Sequence, residues 1–78
     1  MSQNFYTYDE NTVSNRKKGL EILRKYNNNK FPKIYIENHV EYTDISSKTN
    51  INQSDKNELN KHGWDLLNNF WVFLTKTD

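Results

Sequence analysis

Two histidines, His39 and His62, and three closely spaced carboxylates, Glu37, Glu41 and Asp44, are the side chains best suited to metal or proton chemistry in this 78-residue chain. A structural zinc ion takes about four ligands, and the sequence has no cysteine to supply any of them. The two histidines therefore read as structural, His39 in a turn and His62 in the last turn of a helix, where a partial positive charge suits the dipole. Glu37, Glu41 and Asp44 lie on or beside one predicted hairpin and could hold a divalent cation or act as an acid and base pair. No phosphate-cradling glycine loop, no nucleophile with a neighbouring base and no cofactor motif accompanies them. The expectation is no catalytic, metal or cofactor residue, no cofactor, and a protein that is not an enzyme.

The charged residues suggest two kinds of binding instead. Net charge is +1, but residues 1–33 carry seven Lys or Arg against three acids, whereas 34–78 carry four against seven. In the first part, Arg16, Lys17, Arg24 and Lys25 recur at seven- to eight-residue spacing and so share a side of a helix; Lys18, Lys30 and Lys33 extend the group, and Tyr26 and Phe31 adjoin it. Such a strip can follow a phosphate backbone, although the sequence pI near 8.0 lies below the ~9 of a dedicated nucleic-acid module. In the second part, Glu37, Glu41, Asp44, Asp55, Glu58 and Asp65 offer a weak imitation of phosphate. Eleven aromatics in so short a chain exceed what its core can hide, and Phe5, Tyr6, Tyr8, Tyr35 and Phe70 are the candidates for protein contact, because aromatic side chains dominate interface energetics. Trp64, Trp71 and Phe73 are assigned to the core.

The elements that must position these residues are legible from hydrophobic period. Length allows one domain, residues 1–78, with 1–12 either an edge strand or a loose arm. Val13, Leu20, Ile22, Leu23 and Tyr26 form the stripe of an amphipathic helix over about 13–26, capped by Asn11 or Thr12 and ended by Asn27-Asn28-Asn29. From Lys33 to Asp44 the period changes to two, which predicts a hairpin. A three-residue loop, Glu37–His39, would keep Ile34, Ile36, Val40 and Tyr42 on one face, whereas a two-residue Asn38-His39 turn would set Ile36 opposite Glu41; the longer loop is the expectation. Residues 45–53 read as a solvent-facing loop with two isolated isoleucines. A short helix over about 54–62 follows, with Asn52 or Ser54 as N-cap, Leu59 as buried anchor and Gly63 as left-handed terminator. The segment from Trp64 to Thr75 fits a helical stripe or a hairpin turning at Asn68-Asn69. Two central asparagines and the run Phe70-Trp71-Val72-Phe73 favour strands, pairing Trp64 with Phe73 and Leu66 with Trp71. Because Leu67, Phe70, Val72 and Leu74 make a second apolar face, the last strand should be central or covered on both sides. The fold class is α+β, an antiparallel sheet of three to five strands with one main and one short helix.

The stretch Leu59-Asn60-Lys61-His62-Gly63-Trp64, followed by Trp71-Val72-Phe73, resembles the end of many small phage-encoded accessory proteins, in which a short acidic helix, a Gly-Trp pair, a turn and an aromatic strand follow a hairpin. The resemblance implies a host-takeover or anti-defence protein that binds and inhibits a host protein, for example a nuclease of a CRISPR system, in the cytoplasm of the host cell. The same junction resembles small toxin ribonucleases, but their Gly-Ser-His segment is replaced here by Leu67-Asn68-Asn69-Phe70, which removes the nucleolytic reading. The alternative is a nucleic-acid-binding or regulatory protein using the basic helix, and the two apolar faces of the last strand also admit a homodimer. No run of ~18 apolar residues occurs and the chain starts with polar residues, so neither a membrane span nor a secretory signal is expected.

Overall fold

The computed structural model describes residues 10–74, with the elements α1 (Glu10–Lys25), β1 (Ile34–Glu37), β2 (Val40–Ser46), α2 (Gln53–Lys61), β3 (Trp64–Leu67) and β4 (Phe70–Phe73). The four strands form one antiparallel sheet in the order β1-β2-β4-β3, an α+β fold with both helices on one face. The expected strand or arm at 1–12, with Phe5, Tyr6 and Tyr8, lies outside the described residues except for Glu10, Asn11 and Thr12.

α1 starts at Glu10, three residues before the expected position, so Asn11 and Thr12 lie inside the helix rather than capping it. Its sheet-facing stripe also differs from the expectation: Val13 is 52% exposed, while Gly19, Leu20 and Leu23 are buried. Gly19 is required by a close approach, since a Cβ there would sit 1.9 Å from Trp64 Nε1. The indole fills the notch and donates to Asn15 O at 3.3 Å. Asn28 and Asn29 end the helix with φ of 57° and 61°, the left-handed backbone for which asparagine is suited.

At its far end α1 is fastened to α2 by polar groups. Tyr26 Oη donates to Asp55 Oδ2 at 2.5 Å, Lys25 Nζ lies 3.0 Å from the same oxygen, and Asn52 N donates to Tyr26 Oη at 3.4 Å. The Tyr26 hydroxyl, and after it Lys25, hold the Asp55 carboxyl below its ordinary pKa. The hydrogen bond to Asp55, aided by desolvation, raises Tyr26, and the bond to Asp55 raises Lys25. Asn52, not Ser54, caps α2 by accepting from Asp55 N at 2.8 Å. Leu59 is fully buried and Gly63 has φ +87°, both as expected.

The first hairpin corrects the predicted loop. Its turn is the two-residue Asn38-His39, both at positive φ (54° and 65°), and Ile36 does stand opposite Glu41. Two successive left-handed residues give the turn whose twist matches a hairpin. The register costs little because Arg16 on α1 meets the displaced carboxylate: Nε to Glu41 Oε1 is 2.7 Å, with the Glu41 side chain only 6% exposed. The change of register also sends Tyr42 to the face where Tyr35 was expected, and the two rings stack there at 5.3 Å.

Residues 45–53 are a solvent-facing loop only in part, over 47–52 with the exception of Ile51. β2 runs to Ser46, and Ile45 and Ile51 join Leu20, Leu23, Leu59, Trp64, Trp71 and Phe73 in the core. The β2–β4 register shifts between Tyr42 and Ser46. Within that irregularity buried Thr43 donates from Oγ1 to Trp71 O at 2.8 Å and accepts from Ile45 N at 3.2 Å, so the interrupted ladder leaves these backbone groups satisfied. The second hairpin has the expected form, turning at Asn68-Asn69 and pairing Trp64 with Phe73 and Leu66 with Trp71. β4 is a central strand with Trp71, Val72 and Phe73 all buried.

Candidate protein-contact face

Side chains alternate along a strand, so the pairings assign each residue to a face. Ile34, Ile36, Glu41, Thr43, Ile45, Trp64, Leu66, Trp71 and Phe73 point to the helix side. Tyr35, Glu37, Val40, Tyr42, Asp44, Asp65, Leu67, Phe70, Val72 and, continuing the alternation, Leu74 point away. No described helix or strand covers this second face. Tyr42 and Val72 are buried at its centre; Tyr35, Leu67 and Leu74 are 49%, 39% and 44% exposed around them. Tyr42 Oη accepts from Asn68 Nδ2 at 2.9 Å, which joins the second turn to the aromatic pair.

Four predicted contact residues come together here: Tyr35, Glu37, Asp44 and Phe70. Glu37 and Asp44 are exposed and Phe70 is half-buried. The fifth described candidate, Glu41, does not belong to the face. It is buried on the helix side against Arg16, so the three hairpin carboxylates do not share one surface. Asp65 supplies a further exposed acid on the face, and among the described residues no group of three His, Asp or Glu is placed to hold a metal ion. Leu67 and Leu74, read from the sequence only as an apolar second face, are exposed parts of this surface. Tyr42 was missed because the longer predicted loop turned it to the helix side.

The basic group is only partly available. Arg16 pairs with Glu41, Arg24 lies 3.5 Å from Glu21 and over the Phe31 ring, and Lys25 pairs with Asp55. Lys17, Lys18, Lys30 and Lys33 are exposed and make no ion pair among the described residues. Lys17 and Lys18 line a groove of about 530 Å³ between the helices, with Ser14 and Ile22, but Glu21, Asp55 and Glu58 share its walls and offset the positive charge. His62, also in that groove, places Nδ1 2.9 Å from Glu58 O. Since a carbonyl only accepts, Nδ1 carries the proton and the histidine serves as a helix end. His39 sits in the first turn. Among the described residues no helix is long and apolar enough to cross a membrane.

No family model, no curated protein and no solved structure matches this chain.

Proposed function

We propose that the protein is a non-catalytic binder that docks on another protein through the sheet face turned away from its helices. The observation that carries this reading is the face itself, where exposed Tyr35, Leu67 and Leu74 lie among the acids Glu37, Asp44 and Asp65. Aromatic and aliphatic area supplies interface energy, and an acidic surround selects a basic partner and speeds encounter. A basic, aromatic-accepting surface is what a nucleic-acid channel presents. This supports the role implied by the resemblance to phage accessory proteins: occupation and inhibition of a host nucleic-acid enzyme, such as a defence nuclease. The alternative, direct nucleic-acid binding by α1, is less well supported because three of its cations are already paired with acids.

The test is affinity capture from bacterial lysate with three immobilised proteins: the wild type, Leu67→Lys/Leu74→Lys, and Lys17→Glu/Lys18→Glu. The reading expects one specific protein held by the wild type and the helix variant and lost from the Leu67/Leu74 variant. Retention of nucleic acid without protein, abolished in the helix variant, would reverse the assignment.

A further inference from the structure

The two outer edges of the sheet differ. In an antiparallel pair, residues alternate between those whose N–H and C=O face the partner strand and those whose groups face outward. The residues flanking a two-residue turn are hydrogen-bonded to each other. Counting from Leu67↔Phe70, the outward groups of β3 belong to Trp64 and Leu66; from Glu37↔Val40, those of β1 belong to Ile34 and Ile36. On β3 the chain's own side chains occupy that edge. Asn60 Nδ2 donates to Trp64 O at 2.8 Å, and Leu66 N donates to Asp65 Oδ1 at 2.8 Å. On β1, among the described residues, no hydrogen bond reaches the outward groups of Ile34 or Ile36. Ile36 is also 69% exposed, the most exposed large apolar side chain among the described residues. An open apolar edge is a template for strand pairing.

From this asymmetry we infer that β1 is a dimerisation strand, whose partner is β1 of a second copy of this chain. The pairing has one register that satisfies both backbone and side chains. A two-fold axis normal to the sheet keeps helix-side residues opposite helix-side residues. Centring it on Tyr35 sets Ile34 opposite Ile36 of the second copy. These are the residues with outward N–H and C=O, so the two such pairs exchange four backbone hydrogen bonds. On the helix side each exposed Ile36 gains an Ile34. On the other face Tyr35 meets Tyr35, and Lys33 meets Glu37 of the second copy on each side of the axis. The sequence Lys33-Ile34-Tyr35-Ile36-Glu37 is thus self-complementary in charge and apolarity about its centre. Opposite charges directly across a strand pair are stabilising and like charges destabilising. The same treatment of β3 sets Asp65 against itself or against Leu67, with no complementary charge. Because β3 is blocked by Asn60 and Asp65, assembly stops at two copies rather than extending into a fibre. This inference is independent of the proposed host partner.

The test is light scattering during size-exclusion chromatography at high micromolar protein, with circular dichroism to verify the fold of each variant. The wild type should show twice the 9.4 kDa of the chain. Lys33→Glu and Glu37→Lys, each placing like charges opposite one another twice, should shift it towards the monomer, and the double exchange Lys33→Glu/Glu37→Lys should restore the dimer. Ile36→Pro removes an outward N–H and the Ile36 side chain, leaves the β1–β2 ladder bonds in place, and should give a folded monomer. A wild type of monomer mass, a dimer that all four variants retain, or single exchanges that the double exchange fails to rescue would each overturn the inference.

Discussion

Replacing Gly19 with alanine separates local helix preference from packing, because the two act in opposite directions at this position. In an open helix interior the change would stabilise by about 1 kcal/mol, since glycine has more backbone freedom to lose. Here the added methyl would fall 1.9 to 2.4 Å from Trp64 Nε1, Cδ1 and Cε2. The indole has nowhere to go. It is 1% exposed, held by its bond to Asn15 O, and packed against the Phe73 ring at 5.2 Å. α1 must therefore lift from β3 and β4. Overpacking of this kind costs about 1–3 kcal/mol, and loss of the indole hydrogen bond adds about 1. After the helix gain, a net loss of about 2 kcal/mol is expected. A chain of this length has a total stability of roughly 4–12 kcal/mol, so the loss is a large share of it. The melting midpoint should fall by roughly 8–16 °C. Urea unfolding followed by tryptophan fluorescence measures the free energy in the wild-type background, where both Trp64 and Trp71 report. In a Trp64→Leu background, with the obstacle gone and Trp71 still reporting, the same Gly19→Ala change should become stabilising by about 0.5–1 kcal/mol. The reversal of sign is the diagnostic result. A Gly19→Ala protein more stable than wild type would refute the packing of α1 on Trp64 through this notch.

Two further perturbations address the polar contacts of α1. The Asp55 carboxyl is held below its ordinary pKa in the folded state, so its contribution is fully present above the unfolded value of about 3.9 and is lost as pH falls through the folded one. Urea midpoints measured from pH 5 into the acid range should fall more steeply for wild type than for Asp55→Asn, and Tyr26→Phe should also flatten the acid limb by removing the main cause of the shift; parallel pH curves would refute the assignment. At the other end of the helix, Arg16→Ala removes the ion pair to the buried Glu41 carboxylate and should cost about 2 kcal/mol by urea unfolding, whereas Lys17→Ala should stay within ~0.5 kcal/mol and Arg16→Met/Glu41→Gln should recover most of the loss. Equal effects at Arg16 and Lys17 would show that the contact to Glu41 contributes nothing.

Much of this architecture could be read from local signals, and the errors share one cause. Asn27 to Asn29, Asn52, Gly63 and the Asn68-Asn69 turn act through backbone chemistry a residue or two away, and each lies where the sequence indicates. The second hairpin was legible because its short turn and its apolar pairing agree. In the first hairpin these signals conflict: the apolar pattern favours three loop residues, the chain adopts two, and the deciding contact is Arg16, 25 residues away from Glu41. A long-range ion pair has no period for a sequence reader to detect. Ile45 and Ile51 were assigned to solvent for a similar reason, since they enter the core singly from a bulged strand and a connector without regular alternation. The candidate contact face was half legible. Tyr35, Glu37, Asp44 and Phe70 could be named as candidates, but only the register shows that they share a surface and that Glu41 does not.

The composition of the face that no described helix or strand covers is difficult to account for by stability alone. An antiparallel sheet packed on one side normally gives its other side polar residues, and β1 and β3 follow that rule only at Glu37 and Asp65. β4 presents Trp71 and Phe73 to the helices while Phe70 and Val72 face away, so it is built for cover on both sides. Leu67, beside the second turn, and Leu74, at the opposite end of the β3–β4 ladder, are both exposed and extend that apolar surface along the strands, and Tyr35 extends it across the sheet to β1. Side chains this accessible contribute little to holding α1 and α2 against the sheet, whereas a partner that desolvates them gains from each. Pairing through β1 would bring two copies of Tyr35 side by side and make the face continuous across eight strands. On the proposed reading, a partner protein would then meet one two-fold surface, acidic and aromatic, with the two Tyr35 rings at its centre.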